Sequence, residues 1–294
     1  EDNLPTAAID GGAQSILNGG GNLRCYTDDT KATQIAIEVV SFVTGGTPSI
    51  QVWGLSSTLA VASTVYIEAD TVAVAQPVVT DTYGRNSVWV DYVAVYHLEN
   101  LTDSTGNYDL TASATAPVQS NGGYTFTGSE YLTTSAIPLL GQNGTLQVKA
   151  STTSTNNGYK AIANYRSGTN STSFLAAWFQ SARHHWRIGA QGNLFTGDFT
   201  VNVEQAYTIT RDSSNAGQFW QEGVLKASAT SSFTEDTSPG FTIGALTNNL
   251  GSDRLTGFVS SARLSANHTS ADKVTAEYNN QSDPVTFWTT GGWG

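Results

Sequence analysis

The amino-acid sequence predicts an all-β protein of two domains, on three observations. Charged residues make up only 13% of the chain while Gly alone supplies 29 of 294 positions, a composition of short strands joined by polar turns. Apolar and polar residues alternate over one run after another, the two-residue period of half-buried strands. The length exceeds that of an ordinary single domain.

Taken in order, residues 7–21 combine a short helix-like stretch at Ala13–Leu17 with Gly19-Gly20-Gly21, where a helix has to end. Strands follow. Ile35, Ile37 and Val39 alternate with Ala36 and Glu38, and Ile50 and Val52 with Gln51 and Trp53, while Gly45-Gly46-Thr47-Pro48 between them reads as a hairpin turn. In a third run, 64–75, Val65, Ile67 and Ala69 fall on one face and Tyr66, Glu68 and Asp70 on the other. Glu68 and Asp70 therefore read as the wet face of a strand, since a catalytic pair needs two carboxyls in distinct environments across one cleft. The pattern then loosens into Thr80-Asp81-Thr82-Tyr83-Gly84-Arg85-Asn86. This sets an N-terminal β-sandwich at 1–80 and a linker at 81–91.

From Tyr92 onward, strand-like runs recur at 93–98, 124–126, 145–150, 159–165, 174–180, 185–190, 207–211, 218–222, 241–245 and 258–264, with Gly, Asn and Ser between them. That spacing marks a second sandwich. One short C-terminal helix follows, with Thr269 or Ser270 as cap, Asp272 in the first turn, and Val274 and Tyr278 on one face. The second domain is set at 92–288 and a tail at 289–294. Trp288 and Trp293 are costly to expose, which predicts a docking contact with a neighbour.

Composition excludes several functions. With 13 Lys and Arg and a net charge of -11, the chain lacks the basic surface a phosphate backbone requires, so nucleic acid is not an expected partner. Cys25 is the sole cysteine, so no disulfide can form within the chain. No apolar run approaches the ~18 residues that span a bilayer. Glu1 in place of Met, in a chain with no Met, reads as a processed or partial start.

Glycoside hydrolysis needs two carboxyls flanking a bond, but Glu130, Asp198, Glu204, Asp212, Glu222 and Asp253 stand singly, beside turn residues. No catalytic residue is therefore assigned, and an enzyme is not expected. His184 and His185 are adjacent and point to opposite faces of a strand, and with His97 and His268 they leave too few ligands for zinc. Asp103, Asn107 and Asp109 offer hard oxygens to calcium. The competing reading is that Asp103-Ser104-Thr105-Gly106-Asn107 is a turn held by Asx-type hydrogen bonds. Tyr159, Tyr165, Trp178, Trp186 and Trp220 are candidate platforms for a sugar ring, with burial in the core as the alternative for each.

Several segments also carry a resemblance. The junction Val88-Trp89-Val90-Asp91-Tyr92-Val93-Ala94-Val95-Tyr96-His97-Leu98 is followed by Asp103 to Asn107, Phe126-Thr127-Gly128-Ser129-Glu130-Tyr131-Leu132, Gly223-Val224-Leu225, Gly257 to Ser265 and Ala276 to Pro284. This order resembles proteins that carry domain of unknown function 2341 before a laminin-G-like, concanavalin A-like jelly roll, the match covering most of 92–288. Gly20 to Tyr26, Glu38-Val39-Val40 and Val65-Tyr66-Ile67 are similar to the preceding domain. The resemblance implies a small β-sandwich followed by an antiparallel jelly roll, as in tailed-phage structural proteins and prokaryotic surface proteins. Where that pattern usually has an acidic pair, this chain has Ser260 and Ser261, which weakens both a metal and a catalytic role.

The expected function is accordingly a non-enzymatic virion component. It would be a head decoration or a tail or fibre adhesion module on the virion surface, beside capsid or tail proteins, that grips glycans through the jelly roll. A cell-surface adhesin or sheath protein, extracellular in location, is the first alternative, and a glycan hydrolase or lyase the second. Edge strands of the sandwiches make a homo-oligomer an open option.

Overall fold

The computed structural model describes residues 16, 18–44, 48–55, 63–69, 74–134, 137–138, 140–141, 143–153, 160–166, 174–180, 183–188, 195–230, 240–246, 250 and 253–284. For 18, 166, 174–180, 183–188 and 195–198 it describes the backbone alone. The chain divides into two compact units, Glu1–Val90 with Asn279–Gly294, and Asp91–Tyr278.

In the first unit β1 (Leu23–Tyr26), β2 (Gln34–Val43), β3 (Ser49–Leu55) and β4 (Tyr66–Ala69) form an antiparallel sheet in the order β3-β2-β1-β4, followed by a one-turn helix α1 (Arg85–Val88). Strand β2 serves two ladders, pairing with β1 at Gln34 and Ile35 and with β3 from Ala36 onward. The predicted alternation is what fills its core, since Leu23, Cys25, Ile35, Ile37 and Ile50 are buried together with Ile16. Burial pushes the Cys25 thiol up to about 12, which leaves it an inert apolar side chain. Ile67 departs from the predicted inner face and is 39% exposed, because β4 pairs only with β1 and lies at the sheet edge. The helix-like stretch at 13–17, except for Ile16, the turn residues 45–47 and the tail 289–294 lie outside the described residues.

The predicted linker is corrected. Residues 81–90 are folded onto the first sheet. The Ile37 N–H donates to the Tyr83 carbonyl at 3.3 Å, and Val88 and Trp89 are buried. The Trp89 ring lies 5.3 Å from that of Trp53 at a tilt of 53°, and its indole N–H donates to the buried carboxylate of Glu38 at 2.5 Å. The polar turn chemistry of Thr80 to Asn86 is real, but it makes a turn and α1 inside a unit; the division falls after Val90.

The second unit is built from β5 (Ala94–Tyr96), β6 (Thr111–Ala112), β7 (Val118–Ser120), β8 (Gly123–Thr127), β9 (Leu132–Thr134), β10 (Gly144–Thr152), β11 (Lys160–Arg166), β12 (Phe174–Gln180), β13 (Arg183–Ile188) and β14 (Phe195–Asp198). There follow β15 (Gln205–Arg211), β16 (Ala216–Gln221), β17 (Val224–Thr230), β18 (Gly240–Ile243), β19 (Thr256–Ser265) and the part of α2 (Ala271–Ser282) up to Tyr278. One sheet runs β17-β16-β15-β10-β19-β8-β7 with β5 also on β19, and the other runs β14-β13-β12-β11-β18-β9-β6. Their ladders are antiparallel, hairpins of consecutive strands alternate with neighbours far apart in sequence such as β10 and β19 or β11 and β18, and the architecture is a β-sandwich of jelly-roll type.

The core lies between the two sheets. Phe126, Leu146, Val148, Tyr207, Ile209, Phe219 and Leu264 from one meet Leu132, Ile162, Ala163, Tyr165, Phe241 and Ile243 from the other, all within one apolar cluster. Tyr96 stacks on Phe241 at 5.8 Å. Each such side chain contributes about 1.5–3 kcal/mol by leaving water, so in a chain with no disulfide this contact layer holds the unit together. The Ser270 hydroxyl accepts from the Lys273 N–H at 3.3 Å and caps α2.

Candidate ligand-binding face

The loop 103–109 was the candidate calcium site, and its geometry resolves the choice between cation and turn. Asp103 is fully buried. Its Oδ1 accepts from the Val95 N–H at 2.8 Å and the Thr105 N–H at 3.0 Å, and its Oδ2 from Asn107 N–H at 3.2 Å, Tyr108 N–H at 3.0 Å and the Thr105 hydroxyl. Five donors occupy the lone-pair sites of one carboxylate. Asp109 in turn accepts from the Asp103 N–H at 2.8 Å, and the Asn107 amide donates to the Thr105 carbonyl at 3.3 Å. The three residues do converge, yet on one another: no lone pair of Asp103 is left for a cation. The calcium assignment to Asp103, Asn107 and Asp109 is corrected on that ground, and Asp103 is the pin of a turn beside β5.

Two aromatic candidates are also corrected. Tyr165 is fully buried in the core, where its hydroxyl donates to the Pro138 carbonyl at 3.3 Å and accepts from the Leu140 N–H at 3.2 Å. A bulge between Ala161 and Ala163 shifts the alternation along β11 and puts Tyr165 on the inner side. Trp220 is 6% exposed, too little to present a ring face to a sugar. Tyr159 lies outside the described residues, and so do the side chains of Trp178 and Trp186.

Three carboxylates of the second unit, Glu130, Asp212 and Glu222, are tied into turns and clasps. Glu130 accepts from the N–H groups of Thr127 at 2.7 Å and Ser129 at 3.1 Å and from the Thr127 hydroxyl at 2.7 Å. Burial pulls its pKa up, but those hydrogen bonds outweigh it and hold the acid below its ordinary range. The hydrogen bond from the Ser214 hydroxyl, followed by that from the Ala216 N–H, lowers Asp212 in the same way. Glu222 accepts from the Ala206 N–H at 2.5 Å and the Tyr278 hydroxyl at 2.6 Å.

One outer face is taken by α2. Glu277 accepts from Gln147 on β10 at 2.7 Å and from the Tyr92 hydroxyl at 3.1 Å, and it stands 3.6 Å from Arg263 on β19. Burial, with the Glu277 charge second, pushes the Tyr92 hydroxyl far above its usual pKa, so it stays a neutral donor. This cluster lies on the outer side of the eight-stranded sheet, whose inner side carries Leu146, Val148 and Leu264.

The register of the seven-stranded sheet sorts its residues into two kinds of row. Ala163 pairs with Ala177, Ala177 with Trp186 and Trp186 with Phe195, while on the other side Ala163 pairs with Ile243 and Ile243 with Leu132. Ala163, Ile243 and Leu132 are core residues, so this is an inner row, and it includes Trp186. The next row runs Arg187, Ala176, Asn164, Thr242, Thr133, Thr111 and is polar from edge to edge but for one Ala. Trp178 shares the parity of that polar row and pairs with His185, which pairs with Thr196. Thr133 and Thr242 bond through their hydroxyls at 3.1 Å, and Asn164 donates to the Ala245 carbonyl at 2.5 Å. The sequence reading missed Arg183 and Arg187, although the two-residue spacing of Arg183, His185 and Arg187 signals them.

No protein-family model and no curated protein sequence matches the chain. Among solved structures it is similar to the binding domain of botulinum neurotoxin serotype D, with a TM-score of 0.52 and 13% identity over 65% of this chain and 52% of that one. It is also similar to Trypanosoma rangeli sialidase in complex with 2,3-difluorosialic acid as a covalent intermediate, with a TM-score of 0.56 and 13% identity over 72% of this chain and 35% of that one. The receptor-binding domain of the botulinum C/D mosaic neurotoxin gives 0.53 and 11% over 67% and 52%. The chain thus spans about half the length of the toxin domains and about a third of the sialidase. At these identities the likeness establishes the fold alone, that of an antiparallel β-sandwich of the jelly-roll kind found in receptor-binding domains.

Proposed function

We propose that the second unit is a carbohydrate-binding β-sandwich that acts by adhesion and not by catalysis. The observation that carries this reading is the antiparallel jelly-roll sandwich of the second unit, an architecture it shares with a toxin binding domain and a sialidase in complex with a sialic acid derivative. The toxin binding domains and the sugar-bound sialidase support the reading, since proteins of this fold bind receptors and sialic acid derivatives. The engaged carboxylates support binding: Glu130 and Asp212 accept donors from their own turns, and Glu222 accepts from Ala206 on β15.

The finer reading places this module on an outer surface, as a virion decoration or tail or fibre adhesion part. It rests on the resemblance to domain of unknown function 2341 followed by a laminin-G-like jelly roll in phage and prokaryotic surface proteins. Many copies on one particle would turn weak contacts into firm adhesion. Mass spectrometry of purified particles tests this placement, and absence of the chain from them removes it. The sialidase likeness motivates a second reading, a glycan hydrolase. Incubation with a polysaccharide panel separates the two: retention without new reducing ends supports adhesion, and release of sugars supports hydrolysis.

A further inference from the structure

Strand β4 is an edge of the first sheet. Among the described residues it pairs with β1 alone, with Arg24 opposite Glu68, Cys25 opposite Ile67 and Tyr26 opposite Tyr66. Beyond β1 the ladder continues to Ile35, which faces Cys25. The row Ile35, Cys25, Ile67 thus starts in the apolar core and ends in water: Ile35 is 9% exposed, Cys25 5% and Ile67 39%. Val65, just before β4, and Ala69 share the parity of Ile67 and pack half-buried against the same core. On the other parity Tyr66 is also 39% exposed, and Glu68 is paired with Lys31. A sheet edge that closes a core row with an open isoleucine is a template for a further strand.

We infer that β4 is a self-association edge, which joins a second copy of this chain across a two-fold axis at Ile67. A second copy is the partner because the strand is complementary to itself in that antiparallel register. On the core side Ile67 meets the partner's Ile67 and Val65 meets the partner's Ala69, so the pairs are apolar and the two core rows run into one. On the other side Tyr66 meets the partner's Glu68, which sets the one charge of the strand against a neutral hydroxyl and opposes no like charges. A register centred on Tyr66 instead opposes Ala69 to the partner's Ser63 and gives up part of this match. The contact is isologous, so it closes as a dimer. A seam of one short strand is small beside the ~1,200–2,000 Å² of stable complexes, so the pairing is weak and concentration-dependent. Each copy carries a net charge of -11, and salt therefore strengthens the pairing by screening the repulsion.

The test is sedimentation velocity of the full chain over a range of protein and salt concentrations. A monomer–dimer equilibrium that moves toward dimer as either rises is the expected result. I67D sets two carboxylates against each other on the axis and weakens the dimer about tenfold or more. V118D, at a 62% exposed position on β7 of the second unit, leaves it unchanged. Thermal melts confirm that each variant is folded. Oxidation reads the register without a new charge: I67C forms a disulfide between copies, since directly opposed residues bring their Cβ atoms to about 4.5–5.5 Å. Y66C forms none, and neither does the unaltered chain, whose Cys25 is buried. A chain that stays monomeric up to about 1 mM, or a dimer indifferent to I67D, overturns the inference. A disulfide from Y66C in place of I67C overturns the register. Assemblies that grow past the dimer overturn the two-fold axis and point to β4 on the β3 edge of the next copy.

Discussion

Tyr278 on α2 lays its ring against Gly223 in the turn between β16 and β17, so closely that a Cβ at 223 would fall 2.7 Å from Tyr278 Cδ1. Gly223 has φ +68°, a conformation that favours glycine, and Glu222 before it has φ +53°. The pair is a two-residue hairpin turn with the right-handed twist its strands need. The Tyr278 hydroxyl donates to Glu222 at 2.6 Å and the Thr275 hydroxyl to the Gly223 carbonyl at 3.1 Å. Helix and hairpin are thus joined at one turn. Gly223→Ala is expected to cost about 1–3 kcal/mol. The cost falls in a Tyr278→Ala background, where the wall is gone and only the backbone strain is left. Urea denaturation of the four proteins in this cycle measures the coupling.

Asp103→Ala leaves the N–H groups of Val95, Thr105, Asn107 and Tyr108 without their acceptor, the bonds from Val95 and Thr105 being buried. The expected loss is about 3 kcal/mol or more, since each unsatisfied buried group costs about 1–3 kcal/mol. The turn assignment further predicts that calcium and a chelator leave the melting temperature of the unaltered protein where it is. A rise of several degrees with calcium would restore the metal reading.

Acid tests the loop at Asp28, whose carboxylate accepts from Thr30, Ala32 and Thr33. The Thr30 hydroxyl first, then the Ala32 N–H, lower its pKa from 3.8 to about 2. A depressed folded-state pKa contributes stability above the ordinary value and loses it as pH falls through the folded one. Asp28→Asn is therefore less stable than the parent at neutral pH. The difference closes between about pH 4 and pH 2, as thermal melts across that range should record.

Trp89→Phe removes the indole donor from Glu38, which is itself 7% exposed, and keeps most of the ring. A loss of about 1–3 kcal/mol is expected in chemical denaturation. The cost would be near zero if 81–91 were a linker.

The strand pattern was legible wherever alternation was strong. The run 174–180 was read with the bounds the structure gives β12, and the two-residue period of Ile35 to Val39 lies within β2. What escaped had a weaker signal. Strand β17 alternates Leu225, Ala227 and Ala229 with Lys226, Ser228 and Thr230, but two of its three apolar positions are alanines and it is exposed along most of its length, and β6 is only two residues long. The folded state of 81–90 depends on Trp89 meeting Glu38 across 51 positions, a pairing that no local pattern announces.

The site was legible in residue types and not in their surroundings. Asp103, Asn107 and Asp109 were correctly grouped, but Asx turn and cation loop use the same residues. The N–H groups of Val95 and Tyr108, supplied by the fold, decide between them. Tyr165 sits on the inner side because of a bulge, and a bulge has no signature in this strand's composition. The basic alternation of β13 was visible, yet its meaning required the rows through Ala163 and Asn164 that mark one parity as core and the other as outer.

Because Tyr165 and Trp220 are interior, Tyr165→Phe and Trp220→Phe are expected to leave glycan affinity unchanged within about twofold in any variant that retains the fold. Titration with a retained polysaccharide checks this.

Hydrogen exchange with and without a saturating polysaccharide tests the location of binding most directly. Slowed exchange confined to amides of the second unit, Asp91 to Tyr278, is the result expected of a ligand held by the jelly-roll sandwich. Slowed exchange confined to β1 to β4 of the first unit contradicts it.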